Sequence, residues 1–195
     1  MIKVTSNISE TTVRLGAWAS KVGGAGRRLL FSAAANAVSI LVRSHLSKLG
    51  SWKHQSAENL GAQPTGFLQK AARGTVHHAN DTGGEVIIPA PLGRAFHDVE
   101  IRPKEAPYLT IPASAEAYGK RAGVLAALGW KIWRPKKRDF LMGSVNGEDP
   151  KILYWLKESV RQKQDRELLP NDKSMQEAAN AGVIAALTEM RRRAS

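Results

Sequence analysis

Three prolines within ten residues decide what the middle of this chain can become. Residues 99–112 read VEIRPKEAPYLTIP, and Pro103, Pro107 and Pro112 each fix φ and delete a backbone donor, which forbids a helix through the stretch. Around them Val99 and Ile101 alternate with Glu100 and Arg102, and Leu109 and Ile111 flank Thr110, the period-two pattern of a half-buried strand. A central strand uses its donors on both sides. The stretch therefore reads as an edge strand or an arm crossing a surface, joining or flanking the sheet of the hairpin before it.

The regions on either side are helical. From residue 9 to 49 apolar residues recur at three- and four-residue steps: Leu30, Ala33, Ala34, Ala37, Val38, Leu41 and His45 on one face, with Ser32, Asn36, Ser39 and Arg43 opposite. Gly23, Gly24 and Gly26 each cost about 1 kcal/mol of helix propensity, so a bend or break is expected there. That sets off residues 1–26 as a flexible or partly helical arm, with residues 27–195 a single assembly domain. Gly50 stops the helix, residues 50–64 form a polar loop, and a short helix covers residues 66–73 with Thr65 as its cap. At the other end Ser174 and Glu177 make a capping box, ahead of a stripe of Met175, Ala178, Ala179, Gly182, Val183, Ala186, Leu187 and Met190.

Between the helices lie short apolar runs joined by turn residues. Residues 76–79 and 85–89 flank an Asn/Asp/Gly cluster and read as a hairpin; residues 140–144 and 152–160 flank Asn146-Gly147 and read as a second. Residues 114–123 read as a short helix or excursion, and residues 124–133 fit helix or strand equally. The class is α+β: an antiparallel sheet of short strands and hairpins packed against a long N-terminal helix and a C-terminal amphipathic helix.

Charge narrows the partners. The 195 residues hold 29 basic and 17 acidic side chains, a formal charge of +12, which favours nucleic acid or an acidic protein face. The basic residues concentrate at residues 131–138 (KIWRPKKR) and at Arg191, Arg192 and Arg193. In the first cluster Trp130 and Trp133 alternate with Lys131, Arg134, Lys136, Lys137 and Arg138, which suits stacking plus phosphate contact. The alternative puts Trp130 and Ile132 in a core with the cations reaching outward. With no cysteine there is no disulfide framework and no thiolate metal site. No uninterrupted run of eighteen apolar residues occurs, and the first residues lack the apolar core of a signal peptide, so the expectation is no membrane span and a cytoplasmic site of synthesis.

No residue pattern in the sequence marks a catalytic residue, metal ligand or cofactor site. Histidines stand at positions 45, 54, 77, 78 and 97; His77 and His78 are adjacent, so a regular strand sends them to opposite faces. His97-Asp98 is the remaining candidate for a base with its orienting carboxylate, and Gly143-Ser144 lacks a nucleophile elbow. The expectation is a protein that is not an enzyme.

The segment Arg102, Pro103, Lys104, Ala106, Leu109, Thr110, Ile111 and Pro112, PK-x-A-x-x-LTIP, resembles the phage virion morphogenesis and tail completion proteins, small subunits that join head to tail in tailed bacteriophages. The order of elements over residues 31–190 is similar too: a long helix, a helix before a hairpin, the LTIP strand, a hairpin carrying FLMGS and ILYWLK, an LLP turn and a closing helix. Residues 75–84 match the family's Y-A-x-x-H-x-x-G-G element loosely, and residues 161–169 replace an apolar stretch found in many relatives. The resemblance implies a ring subunit at the head-to-tail junction, a six-fold ring being one stoichiometry open to it. Implied partners are other copies, neck, connector or tail tube proteins and passing genomic DNA, with residence in the virion tail or neck after assembly in the host cytoplasm. Assembly would fall to Val99, Ile101, Pro103, Lys104, Ala106, Leu109, Ile111 and Pro112, with the exposed face of one long helix as the second patch. The alternative is a basic protein that contacts duplex DNA through residues 131–138.

Overall fold

A computed structural model describes residues 23–52, 55–89, 92 and 98–194, and the statements below concern those residues. In chain order the elements are α1 (Gly24–Trp52), α2 (Gln55–Glu58), α3 (Phe67–Gly74), β1 (Val76–Ala79), β2 (Gly84–Ile87), β3 (Val99–Ile101), β4 (Leu109–Pro112), α4 (Ala122–Ala127), β5 (Lys131–Trp133), β6 (Phe140–Ser144), β7 (Lys151–Lys157), β8 (Val160–Gln162), a 3-10 turn (Arg166–Leu168) and α5 (Asp172–Ala194). The class is α+β, with a long N-terminal helix, a C-terminal helix and antiparallel sheets of short strands. Contacts group these into two compact units interleaved in sequence: α1, α3, β1, β2, the 3-10 turn and α5 in the first, and α2, α4 and β3–β8 in the second. Most of the expected arm, residues 1–22, lies outside the described residues, and α1 is already helical at Gly24.

In the first unit α1 buries Leu30, Ala35, Ser39, Val42, Leu46 and Leu49. This face is rotated from the one read in the sequence: Ser39, placed there on the polar side, is fully buried, and its hydroxyl donates to the Asn36 carbonyl at 2.8 Å. Alanine and branched residues surround α1 on all sides, so periodicity alone does not fix its phase. A serine enters the core because its own helix satisfies it. By its length of 27 residues and the mean hydropathy of an 18-residue window within it (1.4), Gly24–Gly50 also passes the test for a membrane-crossing helix, which core helices pass as well. Polar residues interrupt it, which is why an uninterrupted-run criterion overlooks it.

Val42 and Leu46 pack with Ala71, Ala72, Ile88 and Leu92, while Leu49 and Leu168 form a second small cluster. The β1–β2 hairpin closes as the turn residues predict, because the Asn80 side-chain oxygen accepts from the Thr82 and Gly83 amides at 2.9 and 2.8 Å. The start of α5 differs from the sequence reading. Its cap is Asn171, whose side chain accepts from the Ser174 amide at 2.8 Å, so Ser174 is inside the first turn instead of capping it. The C-terminal stripe is otherwise where it was expected, with Met175, Ala179 and Val183 buried.

In the second unit a four-stranded antiparallel sheet has the order β4-β7-β6-β5, and β3 and β8 form a separate ribbon. Residues 99–112 therefore do not join the β1–β2 hairpin, nor do they run as one strand. Between β3 and β4 the chain bends through residues 104–108, where Pro107 denies it a ladder donor. Likewise the expected return strand over 152–160 divides into β7 and β8, and residues 124–133 are part helix and part strand. Val145 accepts from the Glu148 amide at 2.9 Å across Asn146 and Gly147, both at positive φ (52° and 79°), the turn that suits a twisted hairpin.

Register shows a bulge: Leu141 pairs Tyr154 while Met142 pairs Ile152, which leaves Leu153 without a partner on β6. Leu153 and Tyr154 are consequently both buried, against strict alternation, and join Ala117 and Leu125 in the core. Trp130 and Ile132 pack against the same cluster. Burial raises the Tyr154 phenol above its usual range, and its hydroxyl donates to the Lys120 carbonyl at 3.1 Å.

Candidate assembly edges and the basic turn

The four-stranded sheet ends in β4 on one side and β5 on the other. On β4 the Ala113 amide donates to the Leu153 carbonyl at 2.8 Å, so alternation turns Leu109 and Ile111 toward β7 and leaves Thr110 and Pro112 facing away from the sheet. Pro112 thus occupies a position whose amide would have no partner within the sheet. That is why proline is tolerated there. On β5 the Trp130 amide donates to the Leu125 carbonyl at 3.1 Å, away from β6; continuing the alternation, Ile132 also faces its free side.

The sheet's two faces differ. One carries Leu141, Tyr154 and Ile132 into the core; the other aligns Ile111, Trp155 and Phe140 across β4, β7 and β6. Phe140 and Trp155 meet edge to face with centroids 5.8 Å apart, and Trp155 remains 43% exposed. Sequence reading passed over Trp155, although the alternation of residues 154–157 signals an outward position.

Of the residues expected to form an assembly surface, Val99 and Ile101 lie half-buried in β3, paired with β8. Pro103 is half-buried while Lys104 and Ala106 are exposed in the connecting bend. Leu109, Ile111 and Pro112 are half-buried on β4. They form two strand edges joined by a bend, not one continuous arm. The Glu100 carboxylate, held below its ordinary range by hydrogen bonds from Ser159 and Arg102, pairs with Arg102 at 3.0 Å beside this bend.

The structure brings the bend to the basic cluster. Arg134 lies over the Tyr108 ring at 4.7 Å, donates to the Arg138 carbonyl at 2.8 Å and reaches Asp139 at 3.3 Å. This side chain organises the turn. Lys131, Lys136, Lys137 and Arg138 are exposed, and Lys137 sits at φ 59°. Of the interleaved aromatics, Trp130 packs on the core with Lys151 over its ring at 5.1 Å, while Trp133 is half-buried on β5; Arg134 covers one face of Tyr108 from the neighbouring bend. Trp130 is thus engaged by the core and one face of Tyr108 by Arg134, and the turn itself presents the charge of Lys136, Lys137 and Arg138.

His77 and His78 pair with Val86 and Glu85 on β1, so they point to opposite faces. His54 and His97 lie outside the described residues, and Asp98 accepts from the Gln164 amide at 2.8 Å, bracing the β3–β8 ribbon. Among the described residues no three histidine, aspartate or glutamate side chains gather as a metal site. Comparison with family models, curated proteins and solved structures finds no match.

Proposed function

We propose that this chain is a structural subunit of the head-to-tail junction of a tailed bacteriophage, a tail completion or neck protein that assembles as a ring between head connector and tail. One observation carries the reading: residues 109–112, on which the resemblance rests, occupy a sheet edge, where a strand is available to another polypeptide. A closed ring needs two different, complementary patches per subunit. The partners in this reading are other copies and neighbouring neck, connector or tail tube proteins, and the protein works by assembly, without a cofactor, in the virion.

The test is the solution mass of the purified protein by light scattering, with negative-stain imaging of any large species. Ring-shaped oligomers, formed alone or on addition of phage neck components, are expected. Ala106→Asp, at an exposed position in the bend, should abolish them while leaving the monomer folded. A protein that stays monomeric with those components present would sink the reading.

The basic turn favours a second reading, a protein that binds duplex DNA. Among the described residues Lys136, Lys137 and Arg138 are exposed and their side chains make no ion pair, while Arg192 and Arg193 of the other basic cluster are drawn onto Glu189 at 3.0 and 2.8 Å. Binding here would fall steeply with salt, and replacing those three residues by alanine would lower the log–log salt slope by about 2–3. An unchanged slope removes this reading.

A further inference from the structure

We infer that copies of this chain join by continuing the four-stranded sheet from one subunit to the next, β5 of one copy pairing with β4 of its neighbour. The inference rests on the proposed ring and specifies how the ring closes.

Strand polarity permits this contact. Because β4, β7, β6 and β5 are antiparallel in sequence across the sheet, β4 and β5 run in opposite directions. A neighbour related by rotation about an axis parallel to the strands keeps its strand directions, so its β4 meets β5 antiparallel. Joining two different edges is a head-to-tail contact, the kind that generates rings.

The free backbone groups match. On β4 the outward residue bearing an amide is Thr110; on β5 it is Ile132. Opposing these two as a hydrogen-bonded pair places Ile111 opposite Lys131 and Leu109 opposite Trp133. Side chains then meet like with like, since Ile111 and Leu109 share the outer face with Trp133 and Lys131, while Thr110 and Ile132 share the core face. The next outward pair sets Pro112 against Trp130. Proline has no amide, and the Leu125 carbonyl already holds the Trp130 amide where the Pro112 carbonyl would have to sit, so the ladder ends there and pairing is confined to Leu109–Ile111 against Lys131–Trp133. A slip of one residue would oppose core-facing and outward side chains.

The chain has no cysteine, so introduced thiols report one contact each. In the stated register Ile111 and Lys131 form a non-hydrogen-bonded pair, the closer kind, which a disulfide spans. Under mild oxidation Ile111→Cys/Lys131→Cys is expected to give a ladder of covalent multimers ending at the ring's mass, while each single variant stays uncrosslinked. Thr110→Pro removes one outward amide and leaves the bonds to β7 in place. It should dissociate the ring while its circular dichroism and thermal melt remain those of a folded chain. Rings that form normally yet yield no double-variant ladder, or that survive Thr110→Pro, overturn the sheet junction and leave the ring reading standing. Dimers from Ile111→Cys alone overturn it in favour of a two-fold β4–β4 contact, and a wild-type protein that never forms rings overturns both.

Discussion

At Gly182 the first unit lets α5 approach α1 so closely that an added Cβ would lie 2.5 Å from the Ala33 carbonyl oxygen and 2.9 Å from the Ala37 Cβ, whereas at Gly143 the second unit sets β6 against the side chains of Leu153 and Trp130. The obstacle in the first case is backbone, and it cannot rotate away. In the second it is the end of a leucine and an indole edge. Gly84 repeats the first pattern: a Cβ added there would lie 2.8 Å from the Phe31 carbonyl oxygen. At Gly182 and Gly84 the helical unit is thus fitted through small residues against main chain, and at Gly143 the sheet unit through large side chains filling a bulged strand. The two should tolerate added volume differently.

The sharpest test is Gly182→Ala. Helix propensity alone would make it stabilising by about 1 kcal/mol, so a loss of stability isolates the clash with α1. Denaturant melts are expected to show a net loss of about 1–3 kcal/mol. Adding Ala37→Gly should not restore it, because the Ala33 oxygen stays. A Gly182→Ala protein more stable than wild type would remove the close helix contact from the description of the first unit.

Gly143→Ala should cost less, about 1 kcal/mol, because a leucine end can yield where a carbonyl cannot. Here rescue is expected. Leu153→Val retracts the terminal methyl, so the double variant should be more stable than the sum of the singles by about 0.5 kcal/mol or more. Strict additivity would mean that the two residues do not touch.

What could be read from the sequence follows the same divide between local and distant causes. Asn80 and Asn146-Gly147 marked their turns correctly because turn chemistry acts within four residues. Met175, Ala179 and Val183 marked the buried face of α5 because its other sides are polar enough to fix the phase. On α1 the same method rotated the face, since Leu29 and Ile40 are exposed while Ser39 is buried. Proline pointed to an edge for residues 109–112, and β4 is an edge. Its partners were out of reach: β7 and β8 come much later in the chain, and nothing in residues 99–112 says that the two halves part. The approach of Arg134 to Tyr108 was hidden for the same reason, so a residue read as a free cation proves to hold a turn.

The smallest effect is electrostatic and separates the units by where their charges pair. In the second unit Glu116 reaches across sequence to Lys151 at 2.5 Å, while in the first Glu189 pairs with Arg192 and Arg193 on its own helix. The Glu116 carboxyl is held below its ordinary range, chiefly by the hydrogen bond from Lys151. A carboxyl whose folded pKa is depressed stabilises the fold at pH above its unfolded value, and that contribution disappears as pH falls through the folded one. Both side chains are more than a third exposed, so screening limits the pair to about 0.2–1 kcal/mol. Glu116→Gln should therefore lower the melting temperature slightly at neutral pH, and its curve should converge on wild type as acid protonates Glu116. Lys151 still lies over Trp130 in the variant, so only the charge pair is removed. Glu189→Gln, which breaks pairs to the exposed Arg192 and Arg193 within one helix, should move the same curve less. If the Glu116 difference persists unchanged into acid, the pair stabilises through its packing, and long-range charge does not distinguish the sheet unit from the helical one.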